Sequence, residues 1–211
     1  MNDYKSIWQK YTKSKSDFTL EEYQELQLEI AFLKKQLSSQ SKLIKKLKED
    51  AHQDSLTKLW NRRKFQEDLD KSIAYNRRYS RSSGLLFIDL NHFKAINDTL
   101  GHLAGDNVLQ HVSEILKKNC RINDEVYRLG GDEFVIIMPE VTQEVVQAKS
   151  KTLENAISQS SMFFKGQEVC LSASIGFEIV DGSKNKNNVL ESADKQMYKV
   201  KQQFHSLQLV S

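Results

Sequence analysis

The sequence predicts an α/β (α+β) fold, a mixed central sheet surrounded by helices, preceded by an N-terminal helical segment of coiled-coil character. Three observations lead there. Short apolar runs such as "LLFIDL" and "FVIIM" have the length of buried strands and alternate with longer stretches of helical periodicity. Two runs, 126–129 and 134–138, flank a Gly-Gly pair and read as a tight antiparallel hairpin, which makes the sheet mixed and not purely parallel. Ahead of them, apolar residues at Tyr23, Leu26, Ile30, Leu33, Leu37, Ile44, Leu47 and Ala51 alternate steps of three and four around a polar interruption at Gln40.

That seam places Ile30, Leu37 and Ile44 at a positions and Leu26, Leu33 and Leu47 at d positions, a distribution that favours a parallel two-stranded coiled coil, with Glu29 at g able to meet Lys34 at e of a partner. Leu28, Phe32 and Leu43 lie off the seam and keep open a helix packed on its own domain. Its start is written in "FTLEEY": Thr19 at the N-cap, Glu22 three residues on, and Phe18 and Tyr23 as a hydrophobic staple. Residues 1–18 form a separate segment, with Tyr4, Ile7, Trp8 and Tyr11 spaced for one face of a short helix. They are too few for an independent sensor domain, so input is expected through this segment or another protein. Beyond Ala51 the pattern gives a helix over 62–78, a strand over 85–90, a helix over 105–118, the hairpin, a helix over 142–160, a strand over 169–175 and a helix over 188–203. The expected organisation is a terminal segment 1–18, a dimerisation helix 19–51, a globular domain 52–205 and a tail 206–211.

Composition narrows the function classes. With 39% hydrophobic residues in 211, the chain buries a real core. Thirty-one basic and 28 acidic residues leave a net charge of only +3, without the one-sided basic face of a nucleic-acid binder. The apolar runs are too short to span a bilayer and "MNDYKSIWQK" lacks the core of a signal peptide, so no membrane insertion and a cytoplasmic location are expected. Cys120 and Cys170 are far apart and outside any CxxC pattern, which supports neither a disulfide framework nor a zinc site.

The chemistry concentrates in "RLGGDEFVIIMP". Gly130 and Gly131 lack a Cβ and let a ligand approach the backbone, while Asp132 and Glu133 stand at the edge of a rigid sheet. A solvated turn has the same composition. In "LLFIDLNHFKAIND", Asp89 interrupts an apolar strand where it ends and requires a positive or hydrogen-bonding partner. If strand and hairpin are neighbours, Asp89 with Asp132 or Glu133 offers the oxygen donors magnesium prefers; a structural salt bridge is the alternative. His92, Phe93 and Lys94 follow the strand end and can offer backbone N–H groups and an ammonium to a polyphosphate. Asn97 and Asp106 add a carboxamide and a carboxylate suited to a guanine edge, although Asn97 and Asp98 also suit a helix end.

Four ordered motifs make the sequence similar to the GGDEF family, the diguanylate cyclases. They are "DSLTKLWNRR" (54–63), resembling DxLTxLxNRR; "IDLNHFKAINDTLGHLAGDNVL" (88–109); "RLGGDEF" (128–134), resembling RxGGDEF; and "ADKQMYKVK" (193–201). Together they cover about residues 51–205. The resemblance implies a five-stranded mixed sheet related to nucleotidyl cyclases and polymerase palms. It implies condensation of two GTP into cyclic di-GMP with release of two pyrophosphates, each GTP held by one domain of an antiparallel pair. Carried over, Asp89 and Asp132 bind two Mg2+ ions, for which Mn2+ can substitute, with the Leu90 carbonyl assisting. Glu133 is the base or metal partner for the attacking 3′-hydroxyl. Asn97 and Asp106 read guanine, Phe93, Lys94 and Lys201 hold the triphosphate, and Arg128, Gly130 and Gly131 belong to the substrate site.

Two half-sites must meet to make one product, which assigns the heptad helix a purpose as a homodimer stalk over 19–51. "RIND" stands nine positions before Gly130, and at that offset Arg121 and Asp124 resemble the family's RxxD inhibitory site for cyclic di-GMP. The chain departs from the family where its final lysine is usually followed by GRN: Phe204, His205 and Ser206 replace it, so His205 stands for a phosphate-gripping arginine. Asn91 stands where a second aspartate is frequent. Two other readings are a catalytically silent GGDEF-like receptor for GTP or cyclic di-GMP, and a coiled-coil interaction module. The intact Asp89, Asp132 and Glu133 argue against the receptor.

Overall fold

A computed structural model describes residues 19–208, apart from the side chains of residues 48, 49, 193, 194, 197, 198 and 203–208. The expected helix within 1–18 lies outside the described residues. The chain divides after Ala51 into two compact units.

The first unit is carried by α1, Leu20–His52, 33 continuous residues and about 50 Å long at 1.5 Å per residue. Its start is a reciprocal capping box: the Glu22 carboxylate accepts from the Thr19 N–H at 2.9 Å, and Thr19 Oγ1 accepts from the Glu22 N–H at 3.3 Å. Leu33, Leu37, Ile44 and Leu47 of the seam are exposed, as are Leu28, Phe32 and Leu43 beside it.

In the second unit the elements run β1 (Trp60–Asn61), α2 (Arg62–Tyr79), β2 (Ser83–Leu90), α3 (Phe93–Leu100), α4 (His102–Asn119), β3 (Glu125–Gly130), β4 (Glu133–Pro139), α5 (Gln143–Ser158), β5 (Ser161–Phe164), β6 (Gln167–Cys170), β7 (Ala173–Val180) and α6 (Lys186–Gln208). The main sheet has five strands in the order β1-β3-β4-β2-β7. Only β1 and β3 pair in parallel; the other neighbours are antiparallel. The sheet is therefore mixed, as expected.

All eight residues of β2 are buried, because helices cover both faces of the sheet. Alternation sorts its side chains. Leu86, Ile88 and Leu90 join Phe134, Ile136 and Met138 in a core closed by Val108, Val112 and Leu116 of α4 and Val146, Leu153 and Ile157 of α5. Leu85 and Phe87 join Tyr127, Val135 and Ile137 in a second core, closed by Phe65, Leu69 and Ile73 of α2 and Val189 of α6. By the same alternation, Asp89 and Glu133 emerge on the α2 and α6 side.

The structure corrects several sequence expectations. The run 169–175 is not one strand. It breaks at Leu171–Ser172, so that β6 pairs with β5 in a separate two-stranded hairpin while β7 joins the main sheet. The break is held by the Ser172 carbonyl, which accepts from the Asn91 N–H at 2.9 Å. The β5–β6 hairpin turns at Lys165–Gly166, both at positive φ, as two-residue hairpin turns require. The helix expected from 105 begins at His102, and the eight-residue α3 precedes it; Gly101, at φ 87°, caps both. The two-residue β1 is too short for any periodicity to announce. Among the described residues, no helix is long and apolar enough to cross a membrane.

Candidate active site

The site is organised by the β2–β4 ladder, which sets Asp89 directly opposite Glu133. Asp89 is 4% exposed and also pairs in register with Ser174 of β7. Burial pushes its carboxyl above the usual aspartate range; a hydrogen bond from Lys201 opposes the rise, and the charges of Asp132 and Glu133 add to it. Lys201, reaching from α6, places Nζ 2.9 Å from Asp89 Oδ2. Glu133 is half-exposed and has Arg62 Nη2 at 3.9 Å. Asp132 sits in the turn, and its carbonyl accepts from the Leu90 N–H at 3.4 Å, fastening the hairpin to the end of β2.

The turn is held from outside. Arg128 donates through Nε and Nη2 to the Gly131 carbonyl at 3.0 and 2.8 Å, and through Nη1 to Asp54 Oδ1 at 3.0 Å. The same Asp54 oxygen accepts from the Thr57 N–H at 2.8 Å and hydroxyl at 2.7 Å. Burial alone would raise the Asp54 carboxyl, but these hydrogen bonds and the Arg128 charge outweigh it and hold the group below its ordinary value. Arg128, expected at the substrate, thus ties the glycine turn to the segment after α1. Gly131, at φ 51°, occupies the left-handed region that favours glycine.

Beyond β2, α3 and α4 bring a second group together. A Cβ on Gly105 would meet Asn97 Oδ1 at 2.0 Å and the Phe93 ring at 3.2 Å, so the bare glycine lets Asn97 and Phe93 lie against the first turns of α4. Asp106, exposed, is the next residue. Phe93 and Asn97 therefore share one place, with Asp106 following Gly105 in α4, and Lys94 is exposed at the second position of α3. Helical periodicity around Gly105 was the signal for a helix here, but only the α3–α4 crossing shows why a glycine precedes Asp106. His205 lies in α6 with its side chain outside the described residues.

Arg121 and Asp124 fall elsewhere, before β3, whose far end carries the glycine turn, roughly 20 Å away at about 3.3 Å per residue. Asp124 is buried and its Oδ2 accepts from the Arg121 N–H at 2.9 Å, while the Arg121 side chain is exposed. Both line a cleft of about 260 Å³ with Lys58, Trp60 and Lys117.

Two contacts of the site have no role that the sequence predicts. Arg62, beside Glu133, lies in "NRR", and its place in that motif is its one sequence signal. Asn91, a departure from the family pattern, accepts at Oδ1 from the Ser174 hydroxyl at 2.8 Å, which joins the end of β2 to β7.

The family described as "Diguanylate cyclase, GGDEF domain" matches residues 51–206. The chain belongs to the GGDEF family. It is 36% identical over 148 residues to the diguanylate cyclase DgcP of Pseudomonas aeruginosa, covering 70% of this chain and 22% of that one. It is 34% identical over 146 residues to the diguanylate cyclase DosC of Escherichia coli, covering 69% and 32%. The chain thus spans between about a fifth and a third of the length of these two relatives. The crystal structure of the coiled coil and GGDEF domain of DgcB from Caulobacter crescentus, in complex with c-di-GMP, superposes with a TM-score of 0.77 at 26% identity, over 84% of this chain and 94% of that one.

The depressed Asp54 carboxyl gives a testable pH dependence. A carboxylate whose folded pKa is lowered stabilises the fold above the unfolded value, and that contribution is lost as pH falls through the folded value. Asp54→Asn is expected to lower unfolding free energy on the order of 1–3 kcal/mol at pH 7. The difference from wild type should shrink as pH falls below the ordinary aspartate value of 3.8. Denaturant unfolding of both proteins across pH 2.5–7 (roughly the range spanning this titration) checks this; a difference constant across that range counts against it.

Proposed function

We propose that this chain is a diguanylate cyclase that condenses two GTP into cyclic di-GMP with release of two pyrophosphates. The observation that carries the reading is the Asp89–Glu133 register pair beside the glycine turn, with Phe93 and Asn97 gathered against Gly105 at the α3–α4 crossing. Membership in the GGDEF family supports it.

The donor set suits magnesium. Among the described residues no three His, Cys, Asp or Glu side chains converge on one point. An ion here would draw on Asp89, Asp132 or Glu133, the Leu90 carbonyl, water and phosphate, and few carboxylates completed by phosphate is the magnesium pattern. Two Mg2+ ions, or Mn2+ in their place, would supply charge neutralisation on the triphosphate and acidify the attacking 3′-hydroxyl. The protein's part is positioning. Asn97 and Asp106 orient the base, Phe93 and Lys94 receive phosphate at the start of α3, and Gly130 and Gly131 let the nucleotide approach the backbone. Glu133, half-exposed at the strand mouth, takes the 3′-hydroxyl proton or shares a metal. His205 stands on α6 in place of the usual arginine.

Each domain supplies one half-site, so turnover requires a second chain. α1 supports the pairing: Leu33, Leu37, Ile44 and Leu47 are apolar and exposed on a single chain, and burying each against a partner is worth roughly 1.5–3 kcal/mol. A parallel coiled coil over 19–51 also raises the local concentration of the second domain. Arg121 and Asp124 form the inhibitory site, where the backbone-anchored Asp124 and the exposed Arg121 receive cyclic di-GMP. The location is read as cytoplasmic, where GTP is supplied.

Three outcomes test these readings. Purified protein with GTP and Mg2+ should yield cyclic di-GMP by liquid chromatography, and Glu133→Gln should slow it about 10²–10⁴-fold; wild type without product at any protein concentration refutes the assignment. Removing residues 1–51 should lower specific activity at low protein concentration and make it rise with concentration. Equal activity of the short and full chains at low concentration would remove the stalk's role. Arg121→Ala should let turnover continue past the product level at which wild type stalls, and an unchanged stall would count against the RxxD site.

A further inference from the structure

One ammonium has been given two tasks. The family resemblance places Lys201 on the triphosphate and Asp89 on a metal ion, yet Lys201 Nζ lies 2.9 Å from Asp89 Oδ2, on an oxygen that a cation would use. The Asp89 side chain is 6% exposed and that of Lys201 43%, so the carboxylate is fixed in the sheet while the lysine stem is free to swing. Glu133 stands opposite Asp89 in register, and it and Asp132 add like charge. A buried carboxylate among like charges is stabilised by a counter-charge. Among the described residues, the cations recorded against these carboxylates are Lys201, and Arg62 at 3.9 Å from the more exposed Glu133.

We propose that Lys201 is the exchange residue of the site, holding Asp89 in place of a divalent cation until a metal-bearing nucleotide arrives and then passing to its phosphates. This rests on reading Asp89 as a metal ligand. The charges balance on both sides of the exchange. Before it, Lys201 neutralises Asp89. After it, Asp89 would be neutralised by the divalent cation, and Lys201 would neutralise a phosphate oxygen. Free metal alone must break the ion pair and leaves the ammonium without an anion; metal and nucleotide together supply both partners. Lys201 is therefore a positioning residue that disfavours free metal and couples metal binding to nucleotide binding. Coupling of this kind is reciprocal, so nucleotide tightens metal by the factor by which metal tightens nucleotide.

The test is Mn2+ binding to the full chain, read from the electron paramagnetic resonance signal of free Mn2+, with and without a GTP analogue that cannot be cleaved between the α and β phosphates. Without nucleotide, Lys201→Met is expected to bind Mn2+ about tenfold tighter than wild type (about 1.4 kcal/mol), and addition of the analogue should tighten Mn2+ less than it does in wild type. Lys199→Met removes the same charge from an exposed position two residues away and should behave as wild type. Lys201→Arg keeps the ion pair and should retain weak metal-only binding. Mn2+ affinity of Lys201→Met no higher than that of Lys199→Met, with Asp89→Asn binding more weakly than both, overturns the exchange and leaves the metal reading standing. If Asp89→Asn binds Mn2+ as wild type does, Asp89 is not a metal ligand, and the metal reading and the exchange both fall.

Discussion

The β2–β4 register is the constraint on which the rest of this structure depends. Seven residue pairs from Ser83↔Pro139 to Asp89↔Glu133 fix which side chain of one strand faces which of the other. A slip of one residue would turn Leu86 and Ile88 out of their core and send Asp89 to the opposite face. Burial on both faces forbids that slip, since every residue of β2 is buried. The hydrophobic effect thus places two carboxylates side by side with a precision neither could obtain from its own chemistry. Their repulsion is offset by Lys201 on Asp89 and by Arg62 near Glu133.

Around that ladder, each remaining device removes one freedom from the strand ends. Asp132 holds the Leu90 N–H, Asn91 is fastened to Ser172 and Ser174, and Arg128 joins the turn to Asp54. That last contact joins the segment before β1 to the glycine turn through one carboxylate and one guanidinium. The α3–α4 group is supported differently, by close approach: Asn97 lies against Gly105 because no Cβ is there. Asp89 and the glycine turn are held by hydrogen bonds and ion pairs, Phe93 and Asn97 by packing.

How much of this could be read in the sequence follows from the range of each signal. The capping box of α1, the hairpin and the buried strand ending in Asp89 were legible because caps, turns and period-2 burial are local. The split at Leu171–Ser172 was not, since apolar spacing continues through it and only the neighbouring Asn91 decides where the chain changes sheets. The α3–α4 corner escaped because eight residues carry too little periodicity, although Gly101 marks it. Arg128 illustrates a third case. Its motif identified it as belonging to the site, but its partners, 74 positions back at Asp54 and three ahead at Gly131, could be known only from the fold.

By itself the sequence determined the family, the mixed sheet with a helix ahead of it, and the residue types available for chemistry, because motif order and hydrophobic periodicity are properties of neighbours along the chain. The tertiary structure alone decided that Asp89 faces Glu133, that Asn97 rests on Gly105, and that Lys201, 112 positions beyond Asp89, supplies its counter-charge. Those are distances across strands and between helices. They are set by which cores must close, and no local pattern encodes them.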